Sequence, residues 1–221
     1  MIDNELKVIN LGLPKSGTTS LGKALEAAGL HVADWRVRRG NPHATHYGFV
    51  GKLMYQGYFE TGDPFALMKN LNAFPEMNIV RNGLNLWPQT DWGLLSTIRD
   101  QYPGAKFTLT YRDPVKLSDS MMRWSNLGRK RLPDNAVPGL PVGYGFSDKD
   151  RIRWIEGHYK FCRQVFANAD DFFEYDIEDE TARDKLGAFL DIDLPWWGVA
   201  NENTGRPADA DTTEPGQGQP E

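Results

Sequence analysis

The most constraining feature of the sequence is a loop containing two glycines that joins a short apolar run to an amphipathic run. Residues 6–11 form a β-rich run, residues 12–17 (GLPKSG, the glycine loop) interrupt it, and residues 18–28 carry apolar side chains at helical spacing. This order predicts a strand, a loop and a helix. Such a loop points backbone N–H groups and the positive end of the helix dipole at one place, which favours a bound phosphate.

The other side chains at this junction separate a phosphate site from an ordinary turn. An ordinary strand-to-helix turn also uses glycine for backbone freedom. Here one lysine and four hydroxyl side chains accompany the glycines, which favours phosphate binding. The candidate phosphate-binding residues are Pro14, Lys15, Ser16, Gly17, Thr18, Thr19 and Ser20.

The position of the lysine distinguishes this loop from the phosphate loop of nucleotide triphosphatases. In that pattern lysine directly follows the second glycine, and the next hydroxyl holds magnesium. In this sequence Thr18 follows Gly17, and Lys15 lies inside the loop. We therefore predict a site without metal, and a kinase or nucleotidase that uses ATP and magnesium stays as the alternative.

A second junction repeats the strand-to-helix order. Residues 106–111 (KFTLTY) predict a strand, and Asp113 with Pro114 predicts the start of a helix directly after it. Arg112 lies between the two elements, and Ser120 follows it by eight positions. Taken alone, this arginine is better explained by a surface ion pair with an Asp cap.

Together the two junctions resemble the sulfotransferases that use 3′-phosphoadenosine 5′-phosphosulfate (PAPS). The run GLPKSGTTSL is similar to the family's 5′-phosphosulfate-binding loop, and YRDPVKLSDS is similar to the element that holds the 3′-phosphate. The resemblance covers residues 6–30 and 104–124. It implies a three-layer α/β fold with a central parallel sheet, like that of the P-loop NTPases.

The same resemblance implies a role for each matching residue. Lys15 would stabilise the leaving phosphate during transfer, and residues 14–20 would bind the 5′-phosphate. Arg112 and Ser120 would bind the 3′-phosphate, so that 3′,5′-bisphosphate adenosine (PAP) is the expected product. No metal is needed for this chemistry, because it depends on positioning and on charge stabilisation.

The general base that takes the acceptor's proton has no fixed motif in the family. The sequence offers five candidates, His31, Asp34, His43, His46 and Asp63. We favour His43 and His46, which lie in a polar loop near the expected mouth of the site, and then Asp34, which ends a strand predicted at residues 30–33. Solvated loop histidines and a carboxylate that caps a turn are the structural alternatives.

The sequence leaves the acceptor open. Arg36, Arg38 and Arg39 form a basic run that could attract an anionic glycan or lipid head group, although a solvated charged face explains the run better. Arg206 follows the last predicted helix, where the family closes a loop over the 3′-phosphate, but the usual lysine-rich signature is absent. We expect transfer to a hydroxyl or amine of a glycan, a lipid or a small molecule.

Composition sets the broad class. The 221 residues, of which 40% are hydrophobic, suit one domain, which we place at residues 1–206, and the composition of residues 207–221 predicts a disordered tail. The net charge of −5 gives no basic footprint for nucleic acid. Without a signal-peptide pattern or a run of about 20 apolar residues, we expect a cytoplasmic protein with no transmembrane segment.

The remaining predictions concern secondary structure and one further alternative. The patterns predict a helix beginning at Asp63, a strand at residues 77–80, helices at 89–101, 150–169 and 178–190, and a strand at 171–175. Residues 129–148 predict a surface loop that could cover a site. A module that binds anions without catalysis is the third possible function, because fold and activity can separate.

Overall fold

The computed structural model describes residues 6–81 and 83–200. Within these residues eight strands and six helices follow one another as β1 Lys7–Asn10, α1 Thr18–Ala27, β2 Arg36–Val37, β3 Gly48–Phe49, α2 Val50–Thr61, β4 Ala73–Phe74, β5 Ile79–Arg81, β6 Leu84–Leu86, α3 Trp92–Gln101, β7 Ala105–Tyr111, α4 Pro114–Arg123, α5 Asp148–Val165, β8 Phe172–Asp176 and α6 Ala182–Leu190. A 3-10 turn, Pro88–Thr90, precedes α3, and a π-helical turn, Leu127–Arg131, follows α4.

A four-stranded parallel sheet forms the centre of the fold, in the order β4-β1-β7-β8. Successive side chains of a strand point to opposite faces, so Ile9 belongs to a core with α2, α3, α4 and α5, whereas Val8 belongs to a core with α1 and α6. The sheet is therefore covered on both faces, as buried parallel strands require. The predicted α/β fold with a central parallel sheet is confirmed.

The parallel order brings four loops to one edge of the sheet. The segments that follow β1, β4, β7 and β8 all leave from the carboxyl ends of adjacent strands, where ligands of open α/β sheets bind. Helix α4 begins as the sequence predicts, because Asp113 Oδ1 accepts hydrogen bonds from the backbone N–H groups of Val115 and Lys116. Arg112 is thereby held at the edge.

Three predictions of local structure were wrong. Residues 30–33 form no strand, since Val32 makes a single bridge to Ala73 at the rim of the sheet. Asp63 begins no helix but caps a turn, in which its Oδ1 accepts the backbone N–H of Phe65 at 2.8 Å. Residues 35–62 contain more structure than one short helix, namely a two-stranded hairpin of β2 and β3 followed by the 12-residue α2.

The predicted surface loop at residues 129–148 is mostly exposed, but a few of its apolar side chains are packed. Leu132, Val137 and Leu140 belong to the main core, because the segment folds over α5. The indole N–H of Trp154 donates to the carbonyl of Pro138 at 2.8 Å and fixes it there. Within the residues described, no helix combines the length and the apolar character needed to cross a membrane.

Candidate functional site

A cavity of about 1020 Å³ opens at the carboxyl edge of the sheet. It is lined by the glycine loop and the start of α1, by the segments after β4, β7 and β8, and by α4. Residues from the hairpin of β2 and β3 and from the π-helical turn complete its wall. Of the residues expected to bind the nucleotide, the cavity is lined by Pro14, Lys15, Gly17, Thr18, Thr19, Ser20, Arg112 and Ser120.

The glycine loop is shaped by close contacts that only glycine permits. A Cβ atom at Gly12 would lie 1.9 Å from Thr110 Oγ1 in β7. Gly17 has φ 109°, a conformation that L side chains rarely adopt, and a Cβ there would lie 2.7 Å from Ile177 Cγ2. Both glycines therefore let the loop lie directly against the neighbouring strands.

The hydroxyl of Ser16 supports this loop from beneath. It lies 2.5 Å from Thr110 Oγ1, to which Asn10 Nδ2 also donates at 3.2 Å, and the Ser16 side chain is fully buried. Ser16 therefore does not line the cavity with its neighbours, and its hydroxyl is already engaged. Ser16, which the sequence predicted as a phosphate ligand, instead fixes the glycine loop to β7.

Lys15 is the cation of the loop. Its Nζ lies 3.4 Å from the centroid of the Trp124 ring, and its carbonyl oxygen accepts a hydrogen bond from Arg112 Nη1 at 3.0 Å. Burial lowers the pKa of Lys15 from 10.5 to about 8, opposed by the nearby Glu76 carboxylate and assisted by Arg112. The Lys15 side chain is therefore mostly protonated at neutral pH, and it loses its proton only slightly above that pH.

Arg112 is positioned by the helix beneath it. The Tyr159 hydroxyl in α5 donates to the Arg112 carbonyl at 3.0 Å and accepts the Arg112 N–H at 3.2 Å. The Arg112 Nε is buried and has no hydrogen-bond partner among residues 6–81 and 83–200. Ser120, two turns into α4, lines the same cavity. The two residues paired by the sequence motif thus lie at one site.

Two residues that the sequence reasoning missed line the side next to β8. The Tyr175 side chain is buried, and its hydroxyl finds no hydrogen-bond partner in the described part of the chain. Its ring lies 5.9 Å from that of Trp197, centroid to centroid. Tyr175 was recognisable as the last residue of a predicted strand, and therefore as a residue of the carboxyl edge.

Glu76 is the most informative residue missed. It follows β4, and its Oε2 accepts a hydrogen bond from Thr18 Oγ1 at 2.7 Å. Burial raises the pKa of Glu76 from 4.5 to about 7, and Asp34 raises it further, whereas the Thr18 hydrogen bond, Lys15 and Arg131 lower it. Near neutral pH this carboxyl group can therefore both accept and release a proton.

Of the base candidates predicted from the sequence, only Asp34 lies in the cavity. Burial raises the pKa of Asp34, opposed by a backbone hydrogen bond from Trp35 and by Arg38. This carboxyl group acts on the Glu76 charge, so the two acidic groups form one electrostatic unit.

The other base candidates lie outside the cavity. The His43 ring stacks on the His31 ring with 3.4 Å between centroids, and His46 Nδ1 lies 3.1 Å from Thr45 Oγ1 at the exposed surface. Asp63 accepts a hydrogen bond from the Tyr102 hydroxyl and acts on Lys7, at the amino end of β1. The polar composition of residues 41–46 suggested the mouth of a site, but the segment folds away from it.

Arg206, the remaining residue predicted to bind the nucleotide, lies outside the residues that the structure describes. Within 6–81 and 83–200, no three or more histidine, cysteine, aspartate and glutamate side chains are grouped so that they could hold a metal ion.

The comparisons with known proteins identify the family. A family model described as a sulfotransferase domain matches residues 7–137, which is more than half of the chain and includes the glycine loop, Glu76 and Arg112. No curated protein gives a significant match. The chain therefore belongs to the sulfotransferases, enzymes that transfer a sulfonyl group.

Proposed function

We propose that this sulfotransferase takes sulfonate from PAPS and transfers it to a hydroxyl or amine group of its acceptor. One observation carries the proposal: Lys15, Arg112, Ser120 and Glu76, from three separate segments, line a single cavity. A cation beside a glycine loop, a second cationic site and a carboxyl group with a pKa of about 7 are the groups that sulfonate transfer between a bisphosphate nucleotide and an acceptor needs.

The cavity residues fit the nucleotide in two places. The glycine loop and the N-terminus of α1 would hold the 5′-phosphosulfate, and Arg112 with Ser120 would hold the 3′-phosphate. The buried Arg112 Nε and Tyr175 hydroxyl, neither with a hydrogen-bond partner among the described residues, support this assignment, because buried polar atoms normally have partners. We assign Tyr175 and Trp197 to the adenosine.

The acceptor would approach from the opposite side, next to β4. Bound PAPS would supply a sulfonate whose S–O bond to the 5′-phosphate breaks as the acceptor atom bonds to sulfur. Glu76 accepts the proton that the acceptor loses, and the Thr18 hydrogen bond holds its carboxylate in place. Lys15 offsets the negative charge that develops at the mouth of the glycine loop.

Calorimetry with two ligands tests this proposal before any acceptor is known. We expect the purified protein to bind PAP in the absence of magnesium, and to bind ATP with magnesium more weakly. Binding of ATP and magnesium alone would instead support a kinase or nucleotidase. PAP binding with no sulfonate transfer to any acceptor would favour a non-catalytic module.

Replacing Arg112 by alanine should weaken PAP binding selectively. The change removes a guanidinium from the proposed 3′-phosphate site, and hydrogen bonds to charged groups contribute enough for about a 10- to 100-fold loss of affinity. Affinity for adenosine 5′-phosphate should change much less. Calorimetry on both ligands measures the difference, with the exposed Arg39→Ala as the control.

A second variant separates that role from support of the loop, since Arg112 also holds the Lys15 carbonyl. Ser120→Ala leaves this hydrogen bond intact and should still weaken PAP more than adenosine 5′-phosphate. Equal losses for both ligands in both variants would contradict the assignment of the 3′-phosphate.

Replacing Tyr175 by phenylalanine should lower nucleotide affinity without lowering stability. The hydroxyl has no hydrogen-bond partner among the described residues, so its removal breaks no bond shown in the structure. We expect roughly a fivefold loss of PAP affinity and an unchanged or slightly higher Tm. Tyr144→Phe, an exposed residue outside this cavity, is the control. Unchanged PAP affinity would remove Tyr175 from the site.

A further inference from the structure

Three arginines converge on the side of the cavity that the nucleotide does not need. We define this β4 side by Asp34, Arg38, Glu76, Arg81 and Arg131, all of which line the cavity. It lies next to β4, at one end of the central sheet, whereas β8, with Tyr175, lies at the other end. The glycine loop after β1 separates the two, so the β4 side is where an acceptor would meet the sulfonate.

The three guanidinium groups come from three different elements. Arg38 follows the short strand β2, Arg81 is the last residue of β5, and Arg131 is the last residue of the π-helical turn. They are more than 40 positions apart along the chain, so they are not a run of charge on one solvated face. The fold itself brings them to one cavity wall.

Electrostatic effects place two of these arginines close to the acidic pair. Arg131 acts on the charge of Glu76, and Arg38 acts on the charge of Asp34. Arg81 ends the strand that begins three residues after Glu76. Guanidinium groups thus act on both carboxyl groups of the cavity, where the acceptor's proton would be removed.

Cationic groups outnumber acidic groups among the described residues of this side. These comprise three guanidinium groups and two carboxyl groups, and burial raises the pKa of both carboxyl groups. Since Glu76 has a pKa of about 7, it is only partly ionised at neutral pH. The described residues of the β4 side therefore hold more positive than negative charge, in a chain whose overall net charge is −5.

Apolar residues also line the cavity here. Ile79, Val80 and Leu127 are buried core residues whose surfaces reach the cavity, and Trp35 lines it as well. Such a wall suits the face of a sugar or aromatic ring, whereas guanidinium groups suit planar oxyanions, to which they donate two hydrogen bonds at once.

We propose that the acceptor is itself an anion, an alcohol or amine that carries a carboxylate, phosphate or sulfate group bound by Arg38, Arg81 and Arg131. This inference rests on the proposed function, because it names the acceptor class of the same site. The oxyanion is held by the guanidinium groups, and this contact orients the acceptor's reactive O–H or N–H towards Glu76.

The test compares matched acceptors on protein saturated with PAP. Calorimetry measures binding within three pairs that differ mainly in charge: glucuronate and glucose, 4-hydroxyphenylacetate and tyrosol, and a hyaluronan tetrasaccharide and chitotetraose. Glucose 6-phosphate distinguishes phosphate from carboxylate. We expect the anionic member of at least one pair to bind about tenfold more tightly than its neutral partner, as one charge-assisted contact predicts.

Variants then assign the preference to the cavity. Arg81→Gln and Arg131→Gln should each remove most of it, whereas Arg39→Gln and Arg129→Gln, exposed neighbours outside the cavity, should leave it unchanged. Equal binding within every pair, no binding of any anionic member, or equal losses in the control variants would each overturn the inference.

PAP binding distinguishes this failure from failure of the proposed function. If every variant still binds PAP but no anion preference exists, only the acceptor class is wrong. If the unmodified protein binds no PAP, the proposed nucleotide site fails and the acceptor class fails with it.

Discussion

Lys15→Ala is expected to lower kcat for sulfonate transfer by about 100- to 1000-fold, the effect of removing one positioned electrostatic contact to a developing anion. The ammonium is the cation of the glycine loop itself, and it lies over the Trp124 ring at the mouth of the cavity. The backbone contacts of the loop do not depend on this side chain. Transfer of labelled sulfonate from PAPS to an accepted acceptor provides the measurement.

The matched control for this variant is Lys23→Ala, which removes an exposed lysine from α1, the helix that follows the same loop. This control should retain full activity. Lys15→Ala should unfold at the same temperature as the unmodified protein or slightly above it, because no core packing is lost and a partly buried charge is removed. A variant that is unfolded, or one that is folded and fully active, contradicts the role of Lys15.

Glu76→Gln is expected to lower kcat by about 100- to 10 000-fold, which is the usual contribution of a general base. Glutamine keeps the size of the side chain and can still accept the Thr18 hydrogen bond, but it cannot take a proton. Asp34→Asn is the informative comparison, because Asp34 is the other carboxyl group of the same side. If Asp34→Asn lowers kcat by this factor and Glu76→Gln does not, Asp34 is the base.

The pH profile gives an independent test of the same role. With Glu76 ionised above about pH 7 and Lys15 protonated below about pH 8, kcat/KM should rise through the first value and fall through the second. Anionic ligands near Lys15 would raise its pKa and move the upper limb to higher pH. An acidic limb that survives unchanged in the residual activity of Glu76→Gln would exclude Glu76 as its source.

The sequence located Lys15 and Arg112 at the edge of the sheet because the segments that carry them follow regular elements. β7 has seven residues and an alternating pattern, and it ends directly at Arg112. The glycine loop likewise follows a fully buried strand and precedes a ten-residue helix. In both places local side-chain patterns determine where the strand ends, so the functional residues could be located by their position in the chain.

The part of the cavity next to β4 was not predicted, because nothing local marks it. Glu76 follows β4, a strand of two residues whose pairing with β1 depends on contacts far away in the chain. A strand this short has no periodicity that a sequence pattern can reveal. Leu132, Val137 and Leu140 were likewise hidden among prolines and glycines, and only their packing shows that they are core residues.

The neighbouring Glu76 and Lys15 carry a consequence for the stability of the fold. The folded state raises the pKa of Glu76 from 4.5 to about 7, so its unfavourable contribution develops as the pH rises through this range. The folded state lowers the pKa of Lys15 from 10.5 to about 8. The unfavourable contribution of Lys15 to the free energy of unfolding therefore develops as the pH falls through that range. Between pH 7 and 8 both groups are charged, and the free energy of unfolding bears both contributions at once. The protonation state that the proposed reaction requires is therefore the one in which these two side chains oppose folding most, and ligands that compensate their charges relieve that opposition.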